Sequence, residues 1–477
     1  MRILHMHIMI QSTSLREVSD MGVFLLTATA VVVFFVILGS RSRKAVTGGH
    51  DYSLAGRKAS AASVSGVLLG ALVGGASTVG TVQMAYEYGL AAWWFTLGGG
   101  IGCLVLGVWF AIPLRSSGVE TIPGYLRQAY NRLTGSTAMW ASTIGTFISV
   151  VAQFLAGMAL LAGILPGPPW LSALLICLFV LAFLFGGGLK GYSSLGVAKL
   201  FVLYGVLILC AAKTFSQGHT PSALYRDLPR LPFFSLFGNG LGDGLSAGVS
   251  LIIGVLCTQI YIQAVLSASS PATARKGAFI SAALMPPLGL MGVWVGLGLR
   301  HSGVEINSSG ALTYFIANYF HPAVGGALWG GILVTVIGTA AGLSLGIATN
   351  LVYDCYVPLR NVDCGQRHLL FANRGAVTLV VLLAALTGLW GKGSLILEWS
   401  YLSMGLRGAG TFFPLLAGIA VPKKLPPRWA FAASLGGLSV TLFWPITEIP
   451  VEPLFAGLAV SGALTAAGIS QAARRRH

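Results

Sequence analysis

Apolar stretches about as long as a bilayer is thick recur along this chain from residue 21 to residue 469, and they leave it few ways to fold. A helix of ~20 apolar residues crosses the hydrocarbon core of a membrane. Backbone in lipid must satisfy its own hydrogen bonds, which restricts spanning segments to helices or closed barrels. We read thirteen runs, at 21–40, 59–88, 91–114, 136–165, 170–185, 192–213, 241–268, 277–299, 325–353, 371–390, 394–421, 429–446 and 453–469. Charged residues make up 9% of the chain and mean hydropathy is +0.81, whereas a soluble domain carries about 25% charge. The expected fold class is all-α. It is a polytopic membrane protein with an N-terminal arm at 1–20, one transmembrane domain at 21–470 and a basic tail at 471–477. Met21 is an alternative start for the chain.

The net charge of +16 does not indicate nucleic acid, because the basic residues are distributed by loop. With the N-terminus outside, twenty Lys and Arg fall on the cytoplasmic side and seven on the other, as the positive-inside rule requires. Missing one run would scramble that asymmetry. The positive cluster Arg41, Arg43 and Lys44 follows the first run, the reverse of a cleavable signal. Cys103, Cys177, Cys210 and Cys257 fall inside apolar runs and read as small core residues. Cys355 and Cys364 fall in a loop placed in the cytoplasm, where a disulfide is not expected.

Two runs look interrupted. Gly74, Gly75, Ala76, Ser77, Thr78, Val79, Gly80 and Thr81 stand mid-run in 59–88. Glycine, serine and threonine make a poor helix interior, and a break at membrane depth has to face protein or water. One reading is a discontinuous helix at a transport site; the other is a glycine-rich helix packed closely on a neighbour. The run at 241–268 opens with Gly238, Gly240, Gly242 and Gly244 and carries Gly254. The two runs are five spans apart. That spacing suggests an inverted repeat of five plus five helices, with a core at about 59–421. Pro286-Pro287 predicts a bend in the eighth run. Gly98, Gly99, Gly100 and Gly102 predict close helix contact in the third, and Trp93 and Trp94 an interfacial aromatic belt.

Four ionisable residues within or near the runs are functional candidates: Glu87, Asp243, Glu398 and Arg407. The first three fall near span ends. Arg407 is deeper, about 180° around its helix from Glu398, and suits either a carboxylate solute, snorkelling or a carbonyl partner. Polar side chains beside the interruptions are Thr78, Thr81, Gln83, Thr258, Gln259 and Gln263. They suit a polar or zwitterionic solute, or equally helix–helix hydrogen bonds.

Several segments in order resemble the sodium:solute symporter family. They are DYSLAGR at 51–57, the glycine-hydroxyl segment 75–89, and TIPGYL at 121–126, with Gly124 where Glu is usual. QIYIQAVLSASSPATARKG follows at 259–277, and 338–356 aligns without gaps to STADSxLLAASSxxTRDIY. The resemblance implies a leucine-transporter-like (LeuT) fold and sodium-driven uptake of an organic solute by alternating access. It implies a sodium site formed by the carbonyls of Ala76, Val79 and Thr335 and a hydroxyl pair at 338 and 339. Here the pair is Gly338 and Thr339, so one side-chain oxygen is missing. Thr339 has a second reading, a hydroxyl bonded back to its own helix. In the family's sugar-transporting branch a Gln at the position of Gln83 contacts substrate. The Asp of the proline branch is replaced by Thr78, and the family's usual Arg and Lys are replaced by Ala264 and Ser269. The expected partners are a small organic solute, sodium as coupling ion and the lipid bilayer, with no nucleic acid. Proton-coupled or uncoupled transport is the alternative. A transporter-like sensor is less favoured, since no signalling kinase follows residue 477. No HExxH, metal cluster or nucleophile elbow points to an enzyme.

Overall fold

The computed structural model describes residues 20–35, 37, 57–165, 167–357, 366–391, 393–447, 449 and 451–475. The N-terminal arm, the cluster at 41–44, residues 51–56 of the DYSLAGR segment and Cys364 lie outside these. Eighteen α-helices of six residues or more organise the described residues. They are α1 (Asp20–Phe35), α2 (Ala61–Leu72), α3 (Thr81–Tyr88), α4 (Trp94–Val105), α5 (Ala111–Ser116), α6 (Ile122–Ala129), α7 (Arg132–Ala162), α8 (Pro169–Ser216), α9 (Pro221–Asp227), α10 (Leu241–Cys257), α11 (Gln259–Leu266), α12 (Pro271–His301), α13 (Ala311–Tyr319), α14 (Pro322–Thr349), α15 (Gln366–Trp390), α16 (Ile396–Ala420), α17 (Pro427–Phe443) and α18 (Pro453–Arg474).

Over the described residues each of the thirteen apolar runs is largely helical, but they do not divide as expected. Eight helices are long and apolar enough to cross a membrane, nine if the bent pair α10–α11 is one span. The helical stretches Asp20–Phe35, Ala61–Leu72, Pro169–Leu184 and Pro427–Phe443 are too short to count. Interruption leaves α2 a short helix, while 76–116 counts as one helical run. The expected fifth and sixth spans are joined in α8, whose helix continues through 185–195. The start signals are local. Ser60, Thr121, Asn131, Thr220 and Ser270 each accept a backbone N–H three residues on, which satisfies donors that a helix start leaves open.

The first interruption falls at 73–75, where α2 ends and a π turn (Ala76–Gly80) leads into α3. The second lies at Thr258, in extended backbone between α10 and α11, with a 45° bend. It is not at the opening glycines or at Gly254. Gly254 sits inside α10, where a Cβ would collide with Met404 of α16. The two broken helices meet at one end. Ala59, just before α2, donates to Ser267 and accepts from Ser269 just after α11, both at 3.0 Å. The start of one broken helix is thus tied to the end of the other, as an inverted repeat requires.

The third run packs as its glycines predict. Gly98 and Gly102 of α4 meet Leu251 and Val255 of α10, while Gly99 and Gly100 meet Met285 and Pro286 of α12. Trp93 and Trp94 are anchored to protein. Their Nε1–H groups donate to the Pro286 and Leu236 carbonyls, both at 2.9 Å. They pin α4 to its neighbours because a half-buried indole N–H seeks an acceptor. The helix α12 continues through Pro286-Pro287.

Candidate solute and ion sites

The last turn of a helix leaves its carbonyls without N–H partners. At the end of α2 those carbonyls are aimed at the middle of α14. The Thr339 hydroxyl lies 3.2 Å from the Gly70 oxygen, 3.0 Å from that of Val73 and 2.9 Å from that of Thr335. Its one proton serves one of the three at a time. The carbonyls facing Thr339 are therefore Gly70 and Val73, six residues before the expected Ala76 and Val79. Ala76 and Val79 belong to the π turn, where the Ala76 carbonyl accepts from Thr81 Oγ1 at 3.3 Å. The displacement follows from where α2 stops, since it is the helix end that frees the oxygens.

A lysine nitrogen already stands in this cage. Lys199 of α8 is 4% exposed, and its Nζ donates to the Gly70 carbonyl at 2.6 Å and to Thr339 Oγ1 at 2.5 Å. Gly196 lies one turn earlier on the same face and packs on the α2 backbone; a Cβ there would collide with the Gly66 carbonyl oxygen. That close approach brings Lys199 to the end of α2. On the other side is Gly338, where an added Cβ would stand 3.5 Å from Lys199 Cδ and 3.7 Å from Nζ. Lys199 is absent from the residues singled out above, although a lysine seven residues into an apolar run is a functional signal in its own right.

The break itself is held by Gln153 of α7, whose Oε1 accepts from Gly75 N–H at 2.7 Å. Ser77 Oγ accepts from Gly74 N–H at 2.9 Å, and Thr78 Oγ1 donates to the Gly74 carbonyl at 2.7 Å. These hydroxyls do for the broken backbone what a cap does at a helix end. The other expected solute residues are also engaged by protein. Gln83 accepts from Ile396 N–H at 3.2 Å and donates to Ser394 at 3.4 Å, which caps α16. Gln259 accepts from Ile122 N–H at 3.1 Å and donates to the Glu120 carbonyl at 3.2 Å, which holds the start of α6. Thr258 donates to Gly254 at 2.5 Å, and Gln263 to Thr349 Oγ1 at 3.4 Å.

Arg407 is fully buried in α16. Its guanidinium donates to the Ser403 carbonyl at 3.2 Å, Thr146 Oγ1 at 3.3 Å, and Ser149 and Ser403 Oγ at 2.8 Å each. Cys257 and Tyr261, either side of the Thr258 break, lie within electrostatic reach. Every hydrogen-bond partner is neutral. Among the described residues no Asp or Glu pairs with Arg407 or Lys199. Burying an unpaired charge is costly, so both positions point to work beyond packing. The hydroxyls on α7 escape a sequence reading because serine and threonine are common in any helix–helix contact.

Asp243, Glu398 and Glu452 share one cavity of about 350 Å³, together with Tyr88, Asn239, Ser246 and Tyr401. The Tyr401 hydroxyl has no hydrogen-bond partner. The cavity reaches Gly405 on the helix that carries Arg407. The opposite end of the bundle is tied shut. Arg127 meets the Asp354 carboxylate at 3.4 Å, Arg115 donates to Ala268 at 2.6 Å, and Arg57 donates to Gly118 at 2.5 Å.

The profile of the sodium:solute symporter family matches residues 52–437, and the chain belongs to that family. It is a family of transporters, not of enzymes, and the chain is a multi-pass membrane protein. The high-affinity proline transporter PutP of Bacillus subtilis is 25% identical over 86% of this chain and 89% of its own length. The human high affinity choline transporter 1 is 25% identical over 51% of this chain and 42% of its own length. The structure resembles a Na+-coupled sialic acid symporter, with TM-score 0.77 and 16% identity over 94% of this chain and 97% of that one. It also resembles Mhp1, a nucleobase-cation-symport-1 family transporter, with TM-score 0.51 and 12% identity over 89% of this chain and 95% of that one. These likenesses establish the LeuT-like fold.

Proposed function

We propose that this protein is a secondary active transporter that carries a small carboxylate-bearing, zwitterionic solute into the cell by alternating access. It would sit in the cytoplasmic membrane with its N-terminus outside and its C-terminus inside. The observation that carries this reading is the buried, unpaired guanidinium of Arg407 beside the second broken helix. A solute carboxylate would supply the missing countercharge. The carboxyl-lined cavity around Asp243, Glu398 and Glu452 suits the ammonium end of the same solute. Proline, the solute named for one relative, has both groups. Choline, named for another, has only the cation and would meet Arg407 unfavourably. Thr78, Thr81 and Gln83 lie beside the first break and reach the solute in states in which α3 and α16 separate.

Sodium is the coupling ion of the family reading, with Thr335, Gly338 and Thr339 at its site. The residues present fit it poorly. Sodium needs oxygen ligands, Gly338 offers none from a side chain, and the Lys199 nitrogen already meets Thr339 and Gly70.

The test is binding before transport. Thermal melting of the protein in lipid nanodiscs should rise saturably with L-proline or another zwitterionic carboxylate and not with choline, since a ligand of the folded state stabilises it by mass action. Arg407→Met should abolish the rise while leaving a folded protein. Stabilisation by choline, with no effect from any carboxylate, would reverse the assignment of solute charge.

A further inference from the structure

We propose that the side-chain nitrogen of Lys199 occupies the cation cage of this transporter and takes the place of the family's sodium ion. The occupancy of the cage stands on geometry alone. Oxygens from two elements converge there, the carbonyls of Gly70 and Val73 at the end of α2 and the hydroxyl of Thr339 with the Thr335 carbonyl on α14. The C-terminal end of a helix is the end that favours a cation. In the family that cation is a free sodium ion; here a third helix, α8, delivers a side-chain nitrogen covalently.

Three sequence departures then become one. Gly338 lacks the hydroxyl that sodium would use, and the Lys199 stem packs against it, where an added Cβ would stand at ordinary contact distance. Gly196 lets α8 approach α2 closely enough to deliver the nitrogen. Lys199 supplies it. Leu69, Gly70, Val73, Gly196, Leu200 and Leu203 close around the lysine and leave no room for even a water-sized guest. A sodium ion would need both the lysine's oxygens and its space.

Lys199 bridges α2 to α14. The titratable groups of the packed elements are few. Helices α2 and α14 carry none, and α7 carries only Arg132. On α12 they are Arg275, Lys276, Arg300 and His301, at its two ends, and on α15 they are Arg367, His368 and Arg374, in its first third. On α8 itself they are Cys177, Lys190, Tyr192, Tyr204, Cys210 and Lys213. None of these is an acid that could fix the lysine permanently as an ammonium.

The experiment needs no solute. Melting of the nanodisc protein is compared in sodium, potassium and N-methylglucamine chloride at fixed ionic strength. The wild type should melt identically in all three. Lys199→Met with Gly338→Ser restores the hydroxyl and removes the nitrogen, and should acquire a saturable sodium-specific rise; Lys199→Met alone controls for folding. A sodium-specific rise in the wild type, or none in a folded double variant, overturns the substitution.

Discussion

Single residues carry the unusual chemistry of this chain, and each does so because something small stands beside it. Lys199 reaches the end of α2 because Gly196, one turn earlier, allows α8 to touch the α2 backbone. Gly196→Ala should therefore lower stability by about 1–3 kcal/mol, the usual cost of forcing atoms into a packed core. The same change should loosen the lysine from Gly70. Melting in nanodiscs reads the first effect; a wild-type melting temperature would show that the helices shift apart without penalty. Arg407 is held differently, by hydroxyls from α7 and from its own helix. A lysine in its place has a single charged nitrogen and lacks the planar fork, so Arg407→Lys should fold yet bind a carboxylate solute less tightly.

At the scale of elements, the broken helices are stabilised by side chains that cap them from elsewhere. Gln153 caps the α2–α3 break, Gln83 caps α16, and Gln259 of the second broken helix caps α6. In Gln259→Leu the Ile122 N–H and the Glu120 carbonyl lose their partner. A buried polar group left unpaired costs about 1–3 kcal/mol, so the variant should melt earlier than Gln259→Glu, which keeps an acceptor for Ile122. Equal melting of the two would show that water replaces the glutamine. These caps explain why polar residues near the breaks were ambiguous in sequence. A glutamine that binds solute and a glutamine that closes a helix end read identically until the facing helix is in place. The first break was legible to within a few residues, because its glycines and hydroxyls disfavour helix; the second, at Thr258, lies outside the glycines that suggested it, of which Gly242, Gly244 and Gly254 sit inside α10. Which carbonyls the first break exposes was not legible, since that depends on the residue at which α2 stops.

At the scale of the whole molecule, the two ends differ in charge and closure. One end holds the carboxyl-lined cavity; the other is tied by Arg57, Arg115 and the Arg127–Asp354 pair. Outside the spans, the segment after α8 carries a titratable cluster. His219 Nδ1 lies 2.8 Å from His301 Nδ1, and His301 Nε2 lies 3.2 Å from the Asp227 carboxylate. Burial, and then the neighbouring His301, hold His219 below the usual histidine range. Hydrogen bonds from Arg226 and His301 bring Asp227 from 3.8 to about 2. Both groups bind fewer protons folded than unfolded, so stability rises with pH across each window. Their contribution should be complete above about pH 6.5. The His219 share should fade as pH falls below that value, and the Asp227 share between 3.8 and about 2. Melting against pH reads both, and His219→Asn should flatten the upper window alone.

The sequence by itself determined the class of molecule, the number of apolar runs, the place of the first interruption and the family. Those depend on composition, periodicity and order along the chain, which need no neighbour to be read. Only the tertiary structure decided what fills the ion cage. Lys199 and Thr339 are 140 positions apart in the chain, and Gly338 reads as a lost ligand until α8 is packed against it. Bonds between helices are set by which faces meet, and that is fixed by close packing of the whole bundle rather than by any local stretch of residues.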